Sequence, residues 1–156
     1  MREFFGQDPD LESELDLEIP AAMKPPSCHC IGARVTAENP SEGFTPTSGL
    51  IEELHYRSIQ NVNAYFSVGT TGGIHAFADS QFGHIFARGP SREQALKTCV
   101  LALKDLDIRG EICNNVNALE KLLQSADIRT DVHHTAWLDK VIASKVFPFY
   151  SIALHD

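Results

Sequence analysis

Cysteine is scarce in this sequence, with four thiols in 156 residues and no two of them in a CxxC spacing. Structural zinc sites need four donors, with paired ligands two to four residues apart. Cys28, His29 and Cys30 do stand side by side. In an extended chain successive side chains alternate between faces, so these three cannot converge on one ion without a bend. Only Cys99 and Cys113 remain to complete a thiolate set. No metal site is expected, and the triplet reads as the start of a strand.

Other absences narrow the function. There is no apolar run of about 18 residues and no basic-then-apolar leader, so neither a membrane span nor secretion is expected. The expected setting is a reducing compartment, the cytoplasm, with a plastid left open. No basic stripe tracks a phosphate backbone, which argues against a nucleic-acid partner. The net charge of −8 is uneven. Glu3, Asp8, Asp10, Glu12, Glu14, Asp16 and Glu18 against Arg2 give −6 over the first 20 residues and leave −2 for the rest. Such an acidic run reads as a solvated segment.

What is present is ordinary globular composition, 43% hydrophobic and 22% charged, in a length that suits one domain. Residues 1–27 read as a lead-in, with "ELDLEI" as a possible short edge strand and "IPAAMKPPS" broken by prolines. "HCIGARVTA" reads as a strand and "ENPSEGFTPTSG" as a long Pro/Gly loop. "LIEELHYR" and "NVNAYFSV" are two further strands, "GTTGG" a turn, and "IHAFAD" and "QFGHIFAR" another strand pair.

The period then changes from two to 3.6. Ser91 and Gln94 after Pro90 match a capping box, and Ala95, Leu96, Cys99, Val100, Ala102, Leu103 and Leu106 form an apolar stripe. This predicts a helix of about 15 residues ended by "IRG", with Cys99 on its core face. A second helix is expected over 116–126 and a third over about 135–145. Strands first and helices afterwards predict an α+β domain, an antiparallel sheet followed by packed helices.

Catalytic constellations are incomplete. "VGTTGGIH" has closely spaced glycines but neither a GK[ST] ending nor a helix behind it, so it reads as a hairpin turn and not as a phosphate cradle. His133 and His134 are adjacent near a helix start and read as exposed polar residues. No GxSxG occurs, and Ser80 beside Asp79 has no defined base. Asp79 and His84 are candidates to face a cleft.

Three segments in order, "HCIGARVTAENPSEGFTPTSGLIEEL", "NVNAYFSVGTTGGIHAFADSQFGHIFARG" and "REQALKTCVLALKDLDIRGEI", closely resemble the C-terminal subdomain of biotin carboxylase. The wording is that of eukaryotic multidomain acetyl-CoA carboxylases, and "TAWLDKVIASK" resembles the family's closing helix. On this resemblance residues 28–145 form the subdomain, preceded by the lead-in and followed by an apolar tail, 146–156, that does not resemble the family. His29 and Cys30 match the opening of its first strand, while Cys28 stands where glycine is usual.

The resemblance implies part of an enzyme that carboxylates biotin with ATP and bicarbonate, leading to malonyl-CoA for fatty-acid synthesis. Biotin, ATP and magnesium would serve the whole enzyme. Their binding parts belong to an ATP-grasp portion without counterpart in this sequence, so no catalytic residue is assigned, no cofactor is expected to bind this chain alone, and the chain alone is expected to be inactive. The implied partners are that ATP-grasp portion, the biotin carboxyl carrier domain and, in a homodimer, a second copy. Arg57, Asp79 and His84 are the candidates for the biotin side or cleft. Positions matching Glu53, Asn61 and Asn63 resemble a regulatory surface that binds a macrocyclic inhibitor. Asn63 and Ala64 replace the usual Trp-Gly pair there, and His84 stands where bacterial members have lysine. Two other readings stay open, a stand-alone module that docks on an intact carboxylase and the same subdomain of a propionyl-CoA or pyruvate carboxylase.

Overall fold

The computed structural model describes residues 27–144. The "ELDLEI" strand and the apolar tail lie outside these residues. The first strand, β1 (His29–Thr36), pairs antiparallel with β7 (Gln81–Gly89), and β7 pairs antiparallel with β5 (Val62–Phe66) on its other side. The period-two patterns of these strands meet in register. Ile31, Ala33 and Val35 face the same way as Ile85, Ala87, Val62 and Ala64. Of these, Val35, Ile85 and Ala87 are fully buried.

The cover over that apolar face is α1 (Arg92–Lys104), which starts where expected: Ser91 Oγ accepts from Gln94 N at 3.3 Å. Its Ala95, Leu96, Cys99, Ala102 and Leu103 are buried. At about 25 cal/mol per Å² of apolar surface removed from water, burial of this layer stabilises the fold. Next to it stand α2 (Val116–Leu123), the single turn α3 (Ala126–Arg129) and α4 (Trp137–Ser144). The expected helix over 116–126 is thus divided. Ser125 is extended and its hydroxyl caps the next turn by accepting from Ile128 N, so the chain restarts and does not continue.

A second antiparallel sheet has the order β6 (Gly73–Ile74), β4 (Gly49–His55) and β8 (Asp107–Gly110). Here the "IRG" expectation is corrected. These residues belong to a strand, and the helix ends earlier, at Lys104. Leu106 fits the helical stripe, but pairing of Leu54 with Ile108 and Glu53 with Arg109 holds the following residues extended. Gly110 closes this strand at φ 149°, and a Cβ there would stand 2.2 Å from Leu50 O. Two smaller differences concern loops. The Pro/Gly stretch carries a small hairpin, β2 (Glu38–Asn39) with β3 (Thr45–Pro46), around a 3₁₀ turn at Pro40–Glu42. Of "IHAFAD", Ile74 alone lies in a strand. His75 to Asp79 form an exposed turn closed by Ala78 N donating to His75 O at 3.0 Å.

Candidate functional site

The alternation that buries one face of the β1–β7–β5 sheet turns the other residues of the same strands outward. Register arranges them in cross-strand rows: Gly32, Phe86 and Asn63 in one, Arg34, His84 and Tyr65 in the next. Phe86 is 39% exposed, with the Tyr65 ring edge-on at 6.3 Å and the His84 ring stacked at 5.8 Å. Gly32 makes this layout possible, since a Cβ there would stand 3.2 Å from the Phe86 ring.

Charge gathers at one end of this face. Arg34 Nη2 lies 3.6 Å from Asp79 Oδ2, and both side chains are largely exposed. Asp79 Oδ1 accepts from Gln81 N at 3.3 Å, and Gln81 Nε2 lies 3.1 Å from His84 Nε2. The result is a cation, a carboxylate, an amide and an imidazole on one sheet end, the imidazole stacked on Phe86 and Tyr65 edge-on to the same ring. Such a surface can bind an anion or a flat polar group, but it holds no buried nucleophile.

Asp79 and His84 are thus linked through Gln81, and Arg34 lies beside Asp79 and in register with His84. Arg57 lies in the β4–β5 connection and is exposed. Arg34 carried a usable signal, since strand parity sets it opposite Ala33 and Val35 on the face that is not core. Asn63 stands in the Phe86 row. Asn61 precedes β5 at φ 65°, its carbonyl accepting from Arg88 N at 2.9 Å. Glu53 belongs to the other sheet, where its carboxylate lies 3.4 Å from Arg109 Nη1. Asp107 first and then Glu53 raise the Arg109 pKa.

The thiols divide by environment. Cys28, Cys30 and Cys113 are exposed, whereas burial pushes the Cys99 thiol up to about 12 and removes it from thiolate chemistry at neutral pH. Among the described residues no group of three or more His, Cys, Asp or Glu side chains gathers as a metal cage, and no helix is long and apolar enough to cross a membrane. A groove lined by Leu96, Val100, Leu101, Leu123 and Ala126, with Lys97 and Arg129 at its edge, belongs to the helices and takes no lining residue from the sheet.

Comparison with known proteins gives this architecture a family. The sequence profile of the biotin carboxylase C-terminal domain matches residues 32–140. Acetyl-CoA carboxylase of Dictyostelium discoideum is 50% identical over 141 residues, covering 90% of this chain and 6% of that protein. Acetyl-CoA carboxylase of Schizosaccharomyces pombe is 47% identical over 153 residues, covering 94% and 7%. The chain thus spans a small fraction of the length of these relatives.

Solved structures agree on the fold. Complete pyruvate carboxylase from Rhizobium etli superposes with a TM-score of 0.70 at 21% identity, over 83% of this chain and 12% of that one. The biotin carboxylase domain dimer of Hydrogenobacter thermophilus 2-oxoglutarate carboxylase, solved with MgADP, ADP and bicarbonate, gives 0.67 at 23% identity, over 71% and 24%. With the profile covering most of the chain and half of the aligned residues shared with acetyl-CoA carboxylases, the chain belongs to the biotin carboxylase C-terminal domain family.

Proposed function

We propose that this chain is the C-terminal part of the biotin carboxylase portion of an acetyl-CoA carboxylase, working with an ATP-grasp portion and a biotin carboxyl carrier domain. The observation that carries this reading is the 50% identity to an acetyl-CoA carboxylase over 90% of the chain. Against the pyruvate and 2-oxoglutarate carboxylase structures identity is 21% and 23%. In this reading biotin, ATP and magnesium are held by the longer assembly, and the end of the outer face bearing Arg34, Asp79 and His84 turns toward its cleft. A guanidinium there favours the anions of the reaction, bicarbonate and carboxylated biotin, over their neutral counterparts. Asp79 and Gln81 restrict where the Arg34 and His84 heads stand. Asn63, in the Phe86 row, and Asn61, just before β5, belong to the neighbouring regulatory surface, and pairing of two copies is a further expectation of the family.

The test compares the chain alone with the chain joined to the ATP-grasp portion of a closely related acetyl-CoA carboxylase. No bicarbonate-dependent ATP cleavage is expected from the chain alone, and biotin carboxylation is expected from the assembly. Arg34→Ala should lower that carboxylation about 100-fold, the usual scale for removing one electrostatic stabiliser. Arg57→Ala should leave it within about twofold, the reach of a surface substitution of up to about 0.5 kcal/mol. Turnover by the isolated chain, or equal effects of the two substitutions, would overturn the assignment.

A further inference from the structure

The charged end of the outer face is gripped from behind by a residue that does not belong to it. Glu38 opens β2, and its carboxylate bridges the end of β1 and the loop entering β7. Oε2 accepts from Thr36 Oγ1 at 2.9 Å and Oε1 from Ser80 Oγ at 2.7 Å. Ala37 N donates to Ser80 O at 2.8 Å alongside. Ser80 is the residue between Asp79 and Gln81, which contact Arg34 and His84 respectively.

The β1 side is pinned as well. Asn115, 6% exposed, accepts from Thr36 N through Oδ1 at 3.0 Å and donates from Nδ2 to Arg34 O at 3.0 Å. The strand register shifts between Val35 and Thr36, and Asn115 satisfies the backbone at this break.

We propose that Glu38 is a positioning residue: by holding Thr36 and Ser80 to one carboxylate it sets where Asp79 and Gln81 stand, and through them the Arg34 guanidinium and the His84 ring. This rests on the reading that the Arg34 end of the sheet faces the cleft. The physical reason lies in the relative strength of the contacts. An exposed ion pair at 3.6 Å contributes little, so Arg34 is biased toward a carboxylate already in place but does not itself hold the turn that carries Asp79. Hydroxyl bonds to an ionised carboxylate at 2.7 and 2.9 Å are charge-assisted, short and directional. Orientation therefore comes from Glu38, whose two oxygens are already occupied.

The test uses the full chain labelled with ¹⁵N. Backbone order parameters of residues 79–81, the Arg34 Nε–H resonance and thermal melting are recorded for wild type, Glu38→Ala, Glu38→Gln and Ser80→Ala. In Glu38→Ala the order parameters should fall from about 0.85 to below about 0.6, and the Arg34 resonance should shift. Ser80→Ala, a milder change that keeps the carboxylate, should move both in the same direction. Glu38→Gln, which offers an acceptor and a donor to the two hydroxyls without the charge, should bring both values back toward wild type, well clear of Glu38→Ala. If residues 79–81 and Arg34 stay unchanged in both alanine variants, whatever happens to melting, the proposal is overturned. A Glu38→Gln variant indistinguishable from Glu38→Ala overturns it too. If the variants loosen the patch as stated while Arg34→Ala and Asp79→Asn leave biotin carboxylation by the assembled enzyme unchanged, the positioning role stands and the cleft reading falls.

Discussion

The two faces of the β1–β7–β5 sheet come from the same strands and differ in everything else. Inward, Val35, Ile85 and Ala87 are sealed under α1. Outward, Arg34, His84, Phe86 and Tyr65 remain reachable from solvent, with Tyr65 meeting Phe86 across strands, His84 stacking on Phe86 along β7 and Arg34 in register with His84. One face carries stability and the other is free to carry recognition. A side chain's parity along the strand therefore says more about its role than its residue type, and each face should respond to mutation in its own way.

The largest expected effect is on the inner face. Ile85→Ala removes a fully buried side chain and leaves a cavity under α1, so denaturant unfolding should show a loss of about 2–5 kcal/mol. Asn115→Ala attacks the seam between the faces. It strips a buried partner from Thr36 N and Arg34 O, and about 1–3 kcal/mol should disappear in the same measurement.

Alkaline pH probes the inner face without mutation. The Cys99 thiol has an ordinary value of 9.0 and is held near 12 in the fold. Below pH 9 both folded and unfolded chains keep the proton, so its contribution is fully present. Above that the unfolded chain loses the proton first, and stability should fall by about 1.4 kcal/mol per pH unit until the folded thiol also ionises. Cys99→Ala should flatten that part of the profile in pH-dependent melting. Smallest of all is Phe86→Ala on the outer face, which breaks two ring contacts at a half-open site and should change stability by about 1 kcal/mol or less. A loss from Phe86→Ala as large as that from Ile85→Ala would erase the distinction between the faces.

Much of the fold was legible because period and capping are local. The α1 stripe and its Ser91 cap could be read directly, as could the alternation in "HCIGARVTA" and "QFGHIFAR". Asp79, His84 and Arg57 could be named as candidates from the sequence, whereas the contact of Arg34 with Asp79 could not. β8 was not legible. Four residues are too few for a period, and Leu106 fits the helical pattern that precedes them. The bond of Glu38 to Thr36 is local, but its bond to Ser80, 42 positions away, gives no local sign.

By itself the sequence determined the α+β character, the antiparallel pairing of strands, the identity of the covering helix and the family, because each is written in spacing or in long ordered motifs. Only the tertiary structure decided which outward residues meet. It joined Arg34 of β1 to Asp79 in the turn before β7, paired Glu53 with β8 and Asn63 with β7, and brought Glu38 to Ser80. The reason is physical: period and propensity act over a few residues, whereas these contacts depend on register between strands distant in sequence. That register is set by burial of the opposite face.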